Sequence, residues 1–280
     1  VKLSVLIPAY NEEKSVEAVV RRVAAVELGG LGAPVTLELI VVDDCSTDET
    51  AGILARLSGG RGESPPASVD DPQRDAGGGR AATLTAVAPP PAVAAAAPGS
   101  AVPGLRVITH PHNQGKGAAI RTALAAATGE YVIIQDADFE YDPADIPRLV
   151  APLLAGRARV VYGARPLDGS GGRWLLDAGN RGLTVLTNIL YGTRLHDMET
   201  CYKLLPTALV RAFALECNRF DLEPEITAKV TRSGYRILEV PIRYRPRAGG
   251  KKLSVKRDGI PALQALLRYR TWLPPEPAHS

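Results

Sequence analysis

The sequence predicts an α/β domain built on a doubly wound, mostly parallel sheet flanked by helices. Three observations carry that expectation. Short runs dense in Val, Ile and Leu alternate with longer stretches whose apolar residues recur at helical spacing. Several of the short runs stop abruptly at polar or acidic clusters. With 45% hydrophobic residues among 280, the chain has ample material for a core, in one large or two small domains.

The elements follow in order. Leu3 to Pro8 reads as the first strand, and Asn11-Glu12-Glu13 opens a helix to about Val26, with Val16, Val19, Val20 and Val23 on one face. Val35 to Val42 is the second strand, ending in Asp43-Asp44, and Thr47 or Asp48 caps a helix through Leu57. Leu105 to Thr109 is the third strand, followed by a helix from Gly115 to Ala127. Tyr131 to Gln135 is the fourth strand. Asp142 to Leu154 is a helix with Pro143 in its first turn, and Val160 to Gly163 is the fifth strand.

Between the second and third strands, Ser58 to Gly104 is dominated by Gly, Ala, Pro and Ser and shows no apolar period. A connection of that length inside a compact domain reads as a disordered insertion, placed at 58–104. Beyond it come a helix from Trp174 to Tyr191 interrupted at Asn180 and Arg181, a loop from His196 to Thr200, and a strand from Cys201 to Leu205. Helices from Pro206 to Leu215 and Glu223 to Ser233 and a strand from Arg236 to Tyr244 follow. The predicted catalytic domain spans 1–245. Residues 246–280 form a basic tail with a short amphipathic helix, Ile260 to Tyr269.

Composition excludes several classes. A net charge of +3 and 5% aromatic residues argue against a nucleic-acid partner and against base-stacking platforms. Three dispersed cysteines, Cys45, Cys201 and Cys217, make neither a disulfide framework nor a zinc site and fit a reducing, cytoplasmic setting. The start at Val1 reads as a strand and not as a signal peptide, and no apolar run reaches the ~18–20 residues that span a bilayer.

The chemistry gathers at strand ends. Asp136-Ala137-Asp138 follows the apolar run Tyr131-Val132-Ile133-Ile134, and a strand interior rejects unpaired carboxylates. The pair therefore belongs where the strand emerges, and two carboxylates there suit an oxygen-seeking cation such as Mg2+ or Mn2+. Pro8-Ala9-Tyr10-Asn11-Glu12, Asp43-Asp44-Cys45-Ser46-Thr47-Asp48 and Asn113-Gln114-Gly115-Lys116-Gly117 end the other strands. In a parallel sheet those ends share one edge, where ligands bind. The phosphate loops G-x-G-x-x-G and G-x-x-x-x-G-K-[ST] are both absent, so a hydride-transfer dinucleotide site and a P-loop NTPase are disfavoured.

Pro8-Ala9-Tyr10-Asn11-Glu12, Val42-Asp43-Asp44 with Ser46 and Asp48, and Asp136-Ala137-Asp138 resemble family 2 glycosyltransferases of the GT-A fold. Tyr162-Gly163-Ala164-Arg165, Asp197 to Lys203 and Glu223-Pro224-Glu225-Ile226 look like the family's polyprenyl-phosphate hexosyltransferase branch, which includes dolichol-phosphate mannose synthase. The resemblance implies an inverting transfer of mannose or glucose from GDP-mannose or UDP-glucose to a polyprenyl phosphate. Pro8, Ala9, Tyr10 and Glu12 would line the nucleotide pocket together with Lys116 and Ala137. Asp44, with Asp43, would accept from the base. Asp136, Asp138 and Glu140 would hold the metal. Arg165 and Arg173 would hold the acceptor phosphate, with Asn180 and Arg181 weaker candidates, and Asp197 would position groups or act as a weak base. Lys251 and Lys252 stand where the family carries a Gly-x-Ser-Lys-like loop, without its serine. A phosphate monoester is largely dianionic at neutral pH and needs little help from a base. The enzyme would sit on the cytoplasmic face as a peripheral protein, meeting the membrane surface through its tail helix and the helix from Trp174 to Tyr191. A soluble or polysaccharide acceptor is the alternative, followed by a non-catalytic nucleotide-sugar-binding protein.

Overall fold

The computed structural model describes residues 1–60, 62–63, 100–166, 174–246 and 259–274. In chain order the elements are β1 (Lys2–Ala9), α1 (Val16–Ala24), β2 (Thr36–Asp43), α2 (Thr50–Leu57), β3 (Gly62–Glu63), β4 (Leu105–Thr109), α3 (Lys116–Ala126) and β5 (Tyr131–Ile134). A 3-10 turn, Pro143–Asp145, leads into α4 (Ile146–Leu154). Then follow β6 (Val160–Ala164), α5 (Trp174–Tyr191), β7 (Lys203–Pro206), α6 (Thr207–Ala212), α7 (Leu222–Arg232), β8 (Ile237–Pro241) and α8 (Ile260–Arg268).

The eight strands form one sheet in the order β3-β4-β2-β1-β5-β7-β6-β8, and β7 alone runs antiparallel to its neighbours. Register aligns the strand ends. Ala9 pairs with Asp43, and Asp43 with Thr109, so β1, β2 and β4 finish level. Gln135 donates its backbone N–H to Leu6 O at 2.9 Å, which carries β5 up to Asp136 beside the end of β1. The chain leaves β1 toward β2 and returns to it with β5, so these ends flank a topological switch point.

Local chemistry explains where elements start. α1 buries Val16, Val19, Val20 and Val23, the face expected from their spacing. It begins at Val16 and not at Asn11, because Asn11 takes a left-handed φ of 54° and ties β1 to the loop after β2. Its N–H donates to Ser46 Oγ at 3.0 Å, and its Oδ1 accepts from Thr47 N at 2.8 Å. Asp142 accepts from Ala144 N and caps the turn that precedes α4. α5 runs through Asn180 and Arg181 without the expected break.

Two boundary expectations change. Part of the predicted insertion is structured: β3 pairs with β4, Arg106 holds the Glu63 carboxylate at 2.8 and 3.1 Å, and buried Val102 donates to Leu57 O at 2.7 Å. Residues 61 and 64–99 lie outside the described residues. In the tail, α8 buries Ala262, Ala265 and Leu266. Tyr191 donates to Leu266 O at 2.6 Å, and the Lys229 ammonium faces the rings of Tyr269 and Trp272 at 4.5 and 5.4 Å. Residues 259–274 are therefore packed into the domain that the sequence reading closed at 245. Lys251 and Lys252 lie outside the described residues.

At the sheet edge opposite the acidic loops, Glu38 is 8% exposed and clamps three segments. It accepts from Ser4 Oγ at 2.5 Å, from Thr128 N and Oγ1 at 2.8 Å each, and from Lys2 Nζ at 3.2 Å. Burial raises its pKa, but these donors outweigh burial and hold it at about 2, from an ordinary 4.5. A depressed carboxylate stabilises the fold above its unfolded pKa, and that contribution is lost as pH falls from about 4.5 toward 2. The shift corresponds to about 3 kcal/mol, and screening through half-exposed Lys2 brings it to about 1–2 kcal/mol. Urea unfolding of Glu38→Gln is expected to show that loss at pH 7 and a flatter profile between pH 5 and 3 than the parent chain.

Candidate active site

The carboxyl edge of the sheet holds a crowd of carboxylates around the partly buried ammonium of Lys116. Asp136 and Asp138 follow β5, and Ala137 between them is buried. Gln135 supports this turn: its Nε2 donates to Asp136 O at 3.0 Å, and its Oε1 accepts from Tyr202 OH at 2.5 Å. Burial, together with Asp136, Glu140 and Glu12, pushes Asp138 up to about 7. Negative charge is thus concentrated at this turn, a setting that favours a bound cation. The donor set, carboxylate oxygen only, fits Mg2+ or Mn2+.

The expected third ligand does not converge with the pair. Glu140 Oε2 accepts from Tyr244 OH at 2.8 Å, and among the described residues no three His, Cys, Asp or Glu side chains form a metal-holding group. The rest of a cation's shell would come from ligand oxygens and water, the usual arrangement for Mg2+ beside phosphates.

Lys116, the first residue of α3, reaches Asp136 Oδ1 and Glu223 Oε1, each at 2.9 Å. Burial alone would depress this ammonium, but Asp136 and Glu223 hold it well above the usual range. The Cys201 thiol also hydrogen-bonds Asp136, and burial pushes that thiol up. α3 can begin here because glycine stands at 115 and 117. Gly115 has a φ of 97°, and a Cβ at either position would collide with the backbone carbonyl of Asn218 or Cys217. The close approach lets Asn218 O cap the helix, accepting from Gly117 N at 2.7 Å.

Asp44 does more inside the protein than the sequence suggests. Its oxygens accept from His110 Nδ1 at 2.7 Å, Gln114 N at 2.8 Å and Gly115 N at 2.7 Å. Three of about four acceptor positions are taken. Asp44 therefore organises the loop from His110 to Gly115, and His110 Nε2 reaches on to Thr122 Oγ1 at 2.9 Å. Its neighbour Asp43 accepts from Ser46 N and Oγ through one oxygen, Oδ1. Pro8 and Ala9 lie at the end of β1, where Ala9 O accepts from Asp44 N at 2.8 Å. Tyr10 is 38% exposed, and Glu12 accepts from Ser15 Oγ at 2.9 Å.

The arginine expectation is corrected. Arg165 is buried, and its Nε and Nη2 grip Asp197 Oδ2 and Oδ1 at 2.6 and 2.7 Å. It is not an open fork awaiting phosphate. Its backbone N–H also donates to Asp197 at 3.1 Å, so three donors from Arg165 already occupy that carboxylate. Arg173 lies outside the described residues. His110, Glu199 and Glu223 escaped the sequence reading. Glu199 and Glu223 had a signal, as parts of the quoted Asp197 to Lys203 and Glu223-Pro224-Glu225; His110 had none.

The profile of glycosyl transferase family 2 matches residues 4–86 and 91–212. The chain belongs to that family. An uncharacterised glycosyltransferase of Mycobacterium tuberculosis is 24% identical over 249 residues, covering 89% of this chain and 88% of the relative. The dodecaprenyl-phosphate galacturonate synthase of Rhizobium johnstonii is 25% identical over 257 residues, covering 91% of this chain but 63% of that protein. Among solved structures, the glucosyl-3-phosphoglycerate synthase of Mycobacterium tuberculosis in complex with Mn2+, UDP-glucose and phosphoglyceric acid superimposes with a TM-score of 0.63 at 21% identity. That match covers 98% of this chain and 81% of the other and shows the shared GT-A fold. Family 2 glycosyltransferases carry out glycosyl transfer, and the acidic carboxyl edge is the candidate site for it here.

In this glycosyltransferase the Arg165–Asp197 pair is held too deep for solvent to replace either partner. Removing one leaves a buried charge, at a cost of about 3–5 kcal/mol. Asp197→Ala is expected to lower chemical-denaturation stability by about that amount, and Arg165→Lys by less.

Proposed function

We propose that the chain is a metal-dependent, inverting hexosyltransferase that moves mannose or glucose from a GDP- or UDP-sugar to a polyprenyl phosphate. The observation that carries this reading is the pair of carboxylates, Asp136 and Asp138, presented together at the end of β5, where burial and the neighbouring carboxylates push Asp138 up to about 7. A divalent cation bound there would supply Lewis-acid neutralisation of the departing diphosphate. The chain's own residues would do the rest. Lys116 orients Asp136, Gln135 fixes the backbone that presents it, and the loop organised by Asp44 closes the nucleotide side together with Asp43, Pro8, Tyr10 and Glu12. A dianionic phosphate acceptor needs positioning more than deprotonation, which agrees with the Asp197 carboxylate being occupied by Arg165.

The lipid acceptor draws support from two features. A relative is named a dodecaprenyl-phosphate galacturonate synthase. Val185 and Ile189 on α5, Ile260, Leu263 and Leu267 on α8, and Leu273 beyond it are exposed although apolar. No helix among the described residues is long and apolar enough to cross a membrane, so membrane contact would run through such surfaces. A soluble phosphate-bearing acceptor is the second reading, favoured by the neighbour crystallised with phosphoglyceric acid.

Transfer of labelled hexose separates the two readings. Product in the organic phase with undecaprenyl phosphate, β-linked and absent with excess EDTA or with Asp138→Ala, is the expected result. Transfer to 3-phosphoglycerate alone would establish the soluble reading, and an α-linked lipid product would rule out single displacement. Flotation with anionic vesicles is expected to carry the parent chain upward and to leave Leu263→Glu/Leu267→Glu behind with its thermal transition unchanged.

A further inference from the structure

Five buried side-chain atoms among the described residues have no hydrogen-bond partner: Gln114 Oε1, Glu199 Oε1, Thr200 Oγ1, Asn218 Oδ1 and Glu223 Oε2. Buried polar atoms are nearly always paired, because an orphan costs about 1–3 kcal/mol. These five are not scattered over the fold. Gln114 leads into α3, and the Asn218 backbone caps that helix. Glu223 reaches Lys116 with its other oxygen, and Lys116 reaches Asp136. Glu199 and Thr200 immediately precede Cys201, whose thiol also bonds Asp136. All five therefore belong to segments wrapped around Lys116 and Asp136. The Glu223 side chain is 5% exposed and Thr200 is fully buried, so bulk solvent does not satisfy them.

The chemistry of the orphans describes what they await. Four are acceptor oxygens, two of them carboxylate, and the fifth is a hydroxyl. A phosphate offers only acceptors and negative charge, so it is the wrong complement. A compact group bearing several O–H donors is the right one. The nearby Lys203 ammonium does not alter this. It is saturated by Met198 O and Thr200 O at 2.7 and 2.6 Å and sits 4.3 Å from the Tyr162 ring, so it is not offered to an anionic sugar.

Resting on the nucleotide-sugar reading above, we infer that Glu199 and Glu223 form the hydroxyl-binding floor of the donor-sugar subsite and select a neutral hexose against a uronic acid. Burial and Glu223 push Glu199 up to about 8, so at neutral pH it carries a proton and donates as well as accepts. A site built on hydrogen bonds to hydroxyls discriminates strongly, because an ill-matched sugar leaves its buried groups unpaired.

Titration calorimetry with Mn2+ on the intact chain tests the inference. The ligands are UDP, UDP-glucose and UDP-glucuronate, with GDP, GDP-mannose and GDP-mannuronate in parallel. The parent chain is expected to bind the neutral sugar nucleotide at least tenfold more tightly than its uronate. In Glu199→Ala, affinity for the neutral sugar nucleotide should fall tenfold or more while the free diphosphate stays within about threefold. Glu223→Gln, which keeps the side-chain shape but weakens the pairing with Lys116, should cost the neutral sugar nucleotide more affinity than it costs the free diphosphate. Equal losses for sugar nucleotide and free diphosphate would reduce both residues to structural parts and overturn the assignment. So would an unchanged ratio in both variants, or uronate binding as tight as the neutral sugar. Failure of every nucleotide to bind the parent chain would instead remove the nucleotide-sugar reading, and this inference with it.

Discussion

A partly buried ammonium between two carboxylates holds the candidate active edge together. Lys116 joins Asp136 at the end of β5 to Glu223 at the start of α7, and it does so as the first residue of α3. Three segments far apart in sequence therefore meet at one charge. An unpaired lysine there would lose its proton or expose itself, and an unpaired carboxylate would take up a proton or turn outward. The triad pairs all three groups with one another, and Asp136 is fixed beside Asp138 as a consequence.

The surrounding fold serves that contact. Gly115 and Gly117 let the segment 217–218 lie against the start of α3, and Asn218 O caps the helix from which Lys116 projects. That segment is anchored in turn by Glu225, fully buried, which accepts from Glu216 N at 2.9 Å and Cys217 N at 2.8 Å and pairs with Lys229 at 2.6 Å. Lys229 faces Tyr269 and Trp272, so the end of the chain braces the active edge from behind. Asp44 performs the parallel task on the nucleotide side, ordering the loop between β4 and α3. Much of the polar chemistry first read as ligand binding thus proves to be internal architecture. Among the described residues, the buried oxygens without a hydrogen-bond partner include one each of Glu199 and Glu223.

Relatives divide over the acceptor, one named for a polyprenyl phosphate and another crystallised with a soluble phosphate compound. Both acceptors carry phosphate, and a donor site at Asp136, Asp138 and Lys116, as proposed, would be indifferent to what that phosphate is attached to. On the proposed reading the GT-A sheet edge would serve departure of the leaving group, and acceptor choice would fall to surfaces beyond it, including the exposed apolar residues of α5 and α8.

The sequence by itself determined the strands, most helices and the acidic edge, because those depend on local periodicity and on the refusal of charge to enter a strand. Val16, Val19, Val20 and Val23 fell on one buried face, and Asp136 emerged at a strand end, as their spacing required. Tertiary structure decided which charges are spent internally. Nothing near Arg165 in sequence announces that Asp197, 32 residues away, will take both ends of its guanidinium. Nothing near Asp44 announces His110, 66 residues away. A carboxylate reads the same in sequence whether it waits for a ligand or already holds a loop. Its partners are set by contacts between distant segments, and burial then determines whether the group is paired, protonated or left for a ligand.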